Sequence, residues 1–253
     1  MDGPAVLSLY DASVRADPPA APGVERRWFD GVLRTTGAYN FIAWWDFPDE
    51  AAVEIVAREA AYFRGLGGEV EWKVYSHDRP PGLEALLAEA GFVADEAETF
   101  LVLDLEGSSI EAQAPPGIEI RRVNDEAGFA DNVAVAGQAF DRPWPQDEVR
   151  ARLADPNLAL FVAYADDKAV GAGRLEASPG RAFAGLWGGA VAPAFRGKGI
   201  YRALVASRVE EAARRGCRFV AVDARETSRP ILQRLGFEPL AGIRGWVSGR
   251  GAS

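Results

Sequence analysis

The stretch whose residue types and spacing suit chemistry runs Gly188-Gly-Ala-Val-Ala-Pro-Ala-Phe-Arg196-Gly-Lys-Gly-Ile-Tyr201. Gly197 and Gly199 let the backbone turn so that successive amide N–H groups point into one space. A helix starting there adds unpaired N–H donors and a partial positive charge of roughly +0.5. Arg196 and Lys198 place full charges beside them. The sum is an anion cradle suited to a pyrophosphate. Two familiar phosphate loops do not fit. A Walker loop follows Gly-Lys with Ser or Thr for magnesium, whereas Lys198 is followed by Gly199. A dinucleotide fingerprint needs Gly-x-Gly-x-x-Gly, and Arg202 stands where the third glycine belongs. A nucleotide-phosphate binder of another kind stays open.

Such a cradle needs a strand leading in and a helix leading out. The pattern predicts a strand over 182–191 and a helix over 199–215, with Leu204, Val205, Val209 and Ala212 on one face and Gly216 as its stop. Upstream, 118–123 alternates as a strand, and Asn124 or Asp125 can cap a helix reaching Phe140. The loop 141–146 breaks that helix, and 147–153 makes a short second one. Residues 158–165, a turn at Asp166-Asp167, and 169–175 read as a hairpin. Downstream come a strand over 219–224, a short helix over 228–235 ended by Gly236, and strands near Phe237 and over 243–247. The first half echoes this ending with a strand over 70–75, a helix over 83–90 stopped at Gly91-Phe92, and a strand over 100–105. A strand over 39–47 and a capped amphipathic helix over 49–64 precede it. The echo suggests duplication.

Val191 to Ile200 resembles the acyl-CoA loop of the GCN5-related N-acetyltransferase (GNAT) superfamily, whose core is Arg/Gln-x-x-Gly-x-Gly/Ala. Arg196 and Gly199 match it, while Tyr201 replaces the small last residue. Ser228-Arg-Pro-Ile-Leu-Gln-Arg-Leu-Gly236-Phe237 resembles the family's second motif, a short helix ending in Leu-Gly-Phe. The resemblance covers 118–247 in order of elements. It implies an α/β fold with a splayed, mixed β-sheet flanked by helices, and acetyl-CoA as co-substrate. The pantetheine arm would lie between the strands ending at Val191 and Ala224, on the backbone of Gly189, Ala190 and Val191. The amides of Arg196, Gly197, Lys198, Gly199, Ile200 and Tyr201 would hold the pyrophosphate. The N-terminal half is similar to a degenerate copy of the same fold. Its corresponding segment, Trp44-Trp-Asp-Phe-Pro-Asp-Glu50, has no glycine turn and no basic residue. Asp46, Asp49 and Glu50 there would repel phosphates, so one cofactor site per chain is expected.

The resemblance implies attack of a primary amine, on a small molecule or peptide, directly on the thioester. An ordinary amine has pKa ~10.4, so presenting it neutral at pH 7 costs roughly 4–5 kcal/mol, and a carboxylate or ordered water usually takes the proton. Many family members carry a tyrosine on the second-motif helix to protonate the thiolate; here that position is Leu232. The strand where a glutamate often lies reads Ala182-Phe-Ala-Gly-Leu-Trp-Gly188, without a carboxylate. Asp223, near a strand end flanking the acyl group, is the remaining candidate base, set against a solvated strand-end carboxylate. Glu176 is weaker. Tyr201 can donate a proton or pack against the cofactor or Trp187. Arg142 and Trp144 would border the acceptor or pack on prolines. Cys217 reads as core, His77 with Asp78 and Arg79 as structural, and Trp44-Trp45 as packing. The two absences are the best support for a rival reading, a non-catalytic acyl-CoA-binding regulatory module.

The remaining constraints are compositional. At 253 residues, 48% hydrophobic and 26% charged, the chain can bury a core without staples. The lone Cys217 and lone His77 leave no disulfide, metal framework or His-based triad in the second half. No apolar run approaches a membrane span of ~20 residues and no signal peptide opens the sequence, so a cytoplasmic protein without membrane partner is expected. Residues 1–117 carry 8 Lys+Arg and 21 Asp+Glu, a balance of −13; residues 118–253 carry 20 and 16, a balance of +4; together they give −9. A pI of about 4.8 argues against nucleic acid. The basic half suits a polyanionic cofactor and the acidic half a cationic acceptor, unless charge serves solubility alone. The Pro/Gly-rich stretch 106–117 divides the chain into a degenerate GNAT-like domain (1–110), a linker (111–117) and an N-acetyltransferase domain (118–253), two tandem copies of one fold.

Overall fold

The computed structural model describes the chain except residues 109, 112, 141–149, 151–152 and 250–253. The expected loop 141–146, with Arg142 and Trp144, and most of the expected helix 147–153 lie outside the described residues. The described residues pack as two units. The first is Met1–Phe100 with Leu240–Ser253, and the second is Leu101–Pro239.

The second unit opens with β7 (Ile118–Val123), following the last residues of β6 (Glu98–Asp104). Helix α4 (Glu126–Phe140) starts where Asp125 Oδ1 accepts from the Gly128 N–H at 2.8 Å, which settles the cap on Asp125. Then come β8 (Leu158–Ala165) and β9 (Lys168–Glu176), joined by Asp166 and Asp167 at φ 46° and 58°, the geometry a tight hairpin requires. β10 (Phe183–Val191) is antiparallel to β9, and β11 (Phe219–Ala224) is parallel to β10. Between them α5 (Ile200–Arg214) buries Leu204, Val205, Val209 and Ala212, the face expected from the sequence. Helices α4 and α5 take opposite faces of β9 and β10. Val135 meets Ala172 and Ala190, while Gly171 and Gly173, one residue out of phase, face Leu204 and Arg208.

The first unit follows the same plan. Its N-terminal helix α1 (Gly3–Tyr10) runs into a π turn (Asp11–Arg15), then β1 (Val24–Phe29) and β2 (Val32–Gly37) form a hairpin. β3 (Asn40–Trp45), α2 (Ala52–Leu66), β4 (Val70–Tyr75) and α3 (Leu83–Glu89) correspond to β10, α5, β11 and α6 (Arg229–Arg234). β5 (Val93–Ala94) is a two-residue strand. The chain's last strand, β12 (Glu238–Ser248), pairs antiparallel with β4, Trp246 facing Trp72. The sequence suggested two strands here; Gly242 and Gly245 do not interrupt them, and one 11-residue strand results. The first unit therefore completes its pairing with residues from the far end of the sequence, β12 beside β4, while in the second the 101–104 part of β6 lies beside β11.

The echo between halves holds at the hydrogen bonds. Phe92 N–H donates to Leu87 at 2.9 Å and Phe237 N–H to Leu232 at 3.1 Å, each across a left-handed glycine, Gly91 at φ 90° and Gly236 at φ 94°. Both are Schellman ends, which need a residue without Cβ.

Candidate functional site

The site is an opening between two strands with a turn at its end. β10 and β11 pair at Phe183 with Phe219, Ala184 with Val220 and Gly185 with Ala221, and pairing stops there. Both strands run on, to Val191 and Ala224, so their facing edges diverge. On its other edge β10 stays paired to β9 through an irregularity: Trp187 faces Arg174, but Ala190 faces Ala172. Three steps on one strand oppose two on the other, a bulge at Gly188 (φ 57°) and Gly189. Ala192 N–H donates to Val170 on β9 at 2.9 Å, so by alternation Val191 turns its amide toward the open side. Ala190 keeps to β9, facing Ala172, and its buried side chain packs on α4. Of the three residues expected to hold an extended ligand arm, Val191 is the one whose amide this alternation turns to the open side, and Gly189 lies in the bulge.

Beyond Val191 the chain makes a 3-10 turn (Pro193–Phe195) and reaches Gly197 and Gly199, at φ 76° and 88°. Gly199 is the N-cap of α5 and no side chain caps it. Phe195 and Arg196 amides are used inside the turn, donating to Ala192 at 2.9 Å and Pro193 at 3.3 Å. That corrects the expectation for Arg196, whose main-chain N–H is spent on its own turn. Its guanidinium Nε reaches back to Val191 O at 3.1 Å and locks the loop onto β10. Among the described residues, the amides of Gly197, Lys198, Gly199, Ile200, Tyr201 and Arg202 meet no acceptor in the fold. Ala203 is the first to bond, to Gly199 O at 3.2 Å. Six consecutive donors and a helix start thus converge beside Lys198, whose Nζ lies 4.8 Å from the Phe195 ring centroid. These groups fit a diphosphate, and the splayed strands fit an arm attached to it.

The side chains around the opening are sorted by the alternation of β11. Val220, Val222 and Ala224 join the core with Leu232, which is fully buried at the position where a tyrosine was sought. Asp223 is half-buried, on the opposite face of the unpaired stretch of β11. Glu176 is engaged by Arg174 at 3.0 Å. Tyr201 lies under the bulge: a Cβ on Gly189 would sit 2.9 Å from Tyr201 Cε2 and 3.4 Å from Arg208 Nη2. Burial pushes the phenol above its ordinary range, against the pull of Arg208 and Ser228. Arg208 was missed in the sequence; the signal was glycine at 173 and 189 in mid-strand, where close approach is the usual reason. Cys217 is buried in the core and burial raises its thiol, which leaves it inert.

The first unit has the same divergence but fills it. β3 and β4 pair from Asn40–Val70 to Ile42–Trp72 and then part. Arg15 enters from the π turn, donating to Ala43 O on β3 at 3.0 Å and to the Asp78 carboxylate past β4 at 2.9 and 2.7 Å. Its guanidinium lies 4.0 Å from the Tyr75 ring centroid and 5.1 Å from that of Trp44. His77 belongs to this cluster, 2.8 Å from Asp11. Asp46, Asp49 and Glu50 are exposed before α2, as the sequence suggested.

Residues 130–237 match the model of the Acetyltransferase (GNAT) family. Among solved structures, a GCN5-related N-acetyltransferase from Kribbella flavida superposes with TM-score 0.71 at 16% identity, over 90% of this chain and 91% of its own. A tandem GNAT protein from the clavulanic acid biosynthesis pathway gives 0.63 at 17% identity, over 99% and 95%. A GCN5-related N-acetyltransferase from Sphaerobacter thermophilus gives 0.66 at 16%, over 98% and 92%. These likenesses establish the fold, two tandem GNAT-like domains. No curated protein matches the sequence.

Proposed function

We propose that this chain, which carries a GNAT-family acetyltransferase domain, moves an acetyl group from acetyl-CoA to a primary amine of a small-molecule or peptide acceptor. One observation carries the reading: pairing between β10 and β11 ends at Gly185 and Ala221, and the opening leads to six amides without acceptors. A pyrophosphate seated on those amides places the pantetheine arm along Val191 and Gly189, and the thioester at the bulge. The carbonyl oxygen then meets N–H donors fixed beforehand, the usual source of stabilisation for a tetrahedral intermediate. Asp223, on the open stretch of β11, takes the proton from the attacking amine. The −13 balance of residues 1–117 favours a cationic acceptor, whose KM then rises with salt.

The second reading, an acyl-CoA-binding regulatory module, draws on Leu232, a core residue where a tyrosine was sought. Release of free CoA with a panel of amines separates the two. Turnover of at least one amine is expected, while tight acetyl-CoA binding without turnover on any favours the module. Gly199→Val forces a β-branched residue to φ 88° beside the cradle and should abolish acetyl-CoA binding by calorimetry. Unchanged affinity in a folded variant, or ATP displacing acetyl-CoA with equal strength, would sink the loop assignment.

A further inference from the structure

Three guanidinium groups are buried among the described residues. Arg34 is paired with Glu59 at 2.6 Å and Arg15 with Asp78 at 2.7 Å. Arg208 is 1% exposed and, among the described residues, meets no carboxylate. Its donors end on neutral carbonyls: Nε on Leu204 at 2.9 Å, Nη1 on Trp187 at 3.3 Å and on Arg174 at 3.4 Å. Burial pulls the guanidinium down to about 10. A cation removed from water without a countercharge is costly, and the fold is shaped to keep it. A Cβ on Gly173 would lie 2.7 Å from the guanidinium carbon, so β9 leaves a gap for it. The charge ends behind the β10 bulge, against the Tyr201 phenol.

We propose that Tyr201 is the proton donor to the departing thiolate, and that Arg208 is the positioning residue whose buried charge stabilises the phenolate left behind. This rests on the acyl-transfer reading above. As the amine nitrogen bonds to the acyl carbon, the C–S bond breaks and its electron pair goes to sulfur. The phenolic proton of Tyr201 moves to that sulfur and free CoA thiol leaves. The proton lost by the amine returns to the phenolate oxygen through Asp223 or solvent. β10 carries no charged residue, and the Arg208 guanidinium pulls the phenol downward. The second-motif helix no longer supplies the hydroxyl, and α5 supplies one at the same opening.

The test uses the full chain with an accepted amine. Tyr201→Phe keeps the ring against Gly189, so acetyl-CoA affinity should stay within twofold while kcat falls ~10²-fold, as for loss of a general acid. Difluorotyrosine at 201 should retain activity and move the alkaline limb of kcat to lower pH. Arg208→Met should lower kcat with little change in the KM for acetyl-CoA and move that limb to higher pH, and Arg208→Lys should restore most of the rate. A merely structural role leaves the limb in place. An active wild type whose Tyr201→Phe variant stays within twofold in kcat, or a limb unmoved by fluorination, overturns the proposal alone. A wild type that binds acetyl-CoA and acetylates no amine overturns the transferase reading, and this proposal with it. Should the Arg208 variants fail to fold, the two Tyr201 variants still decide.

Discussion

Glu211 shows how a single carboxylate on α5 can hold several elements. Its side chain is 3% exposed and meets Arg215 at 2.8 Å, Arg122 of β7 at 3.3 Å, and Arg214. Arg215 carries the connection on to the carbonyls of Asn157 at 2.8 Å and Ala177 at 3.2 Å, at the ends of β8 and β9. Burial alone would raise the Glu211 carboxyl, but Arg215, Arg122 and Arg214 together hold it below its ordinary 4.5. The folded value lies below the unfolded one, so this stabilisation is complete above about pH 4.5 and is lost as pH falls through the folded value. Glu211→Gln leaves the arginines without a countercharge and should cost about 3 kcal/mol at pH 7, measured by urea unfolding. The deficit should shrink toward pH 3; an equal deficit there would refute the electrostatic account.

Among elements, the glycine-ended helices are where sequence and structure agree most closely. Gly91, Gly216 and Gly236 all sit at φ between 79° and 94°, and each closes a helix as its position suggested. Local chemistry decides such an end, so it is legible without neighbours. Gly236→Val should destabilise the chain by about 1–2 kcal/mol, the cost of a left-handed residue with a Cβ. A thermal midpoint equal to the wild type's would show that the α6 end tolerates another geometry. The amide cradle was legible for the same reason, because glycine spacing and a helix start are local facts. Less local features were not read. The β1–β2 hairpin turns on Asp30-Gly31, at φ 43° and 81°, a strong local signal. Its first strand lacks the apolar alternation that would mark it, since Val24–Phe29 is largely exposed. The partners of β6 and β12 could not be read either, because pairing across more than a hundred residues leaves no local mark. Arg208 escaped because a lone arginine in a helix reads as solvated surface until the facing strand is known.

At the scale of the whole molecule, two copies of one fold give two places where parallel strands part, one in each unit. The first is filled by the Arg15 side chain, which satisfies the Ala43 carbonyl and the Asp78 carboxylate. A protein cation thus occupies the divergence of β3 and β4, and the loop before α2 presents three exposed carboxylates. Calorimetry should therefore find one acetyl-CoA per full-length chain. Arg15→Ala distinguishes a plug from a latent site. It leaves the Asp78 carboxylate buried without its partner and removes a cation from the Tyr75 ring, so stability should fall by about 3 kcal/mol. Stoichiometry should stay at one, because emptying the opening supplies neither glycine-turned amides nor a basic residue where a diphosphate would sit. A second acetyl-CoA bound by the Arg15→Ala chain would mean that the first unit had lost only access, and that the carboxylates before α2 do not repel phosphate as their charge requires.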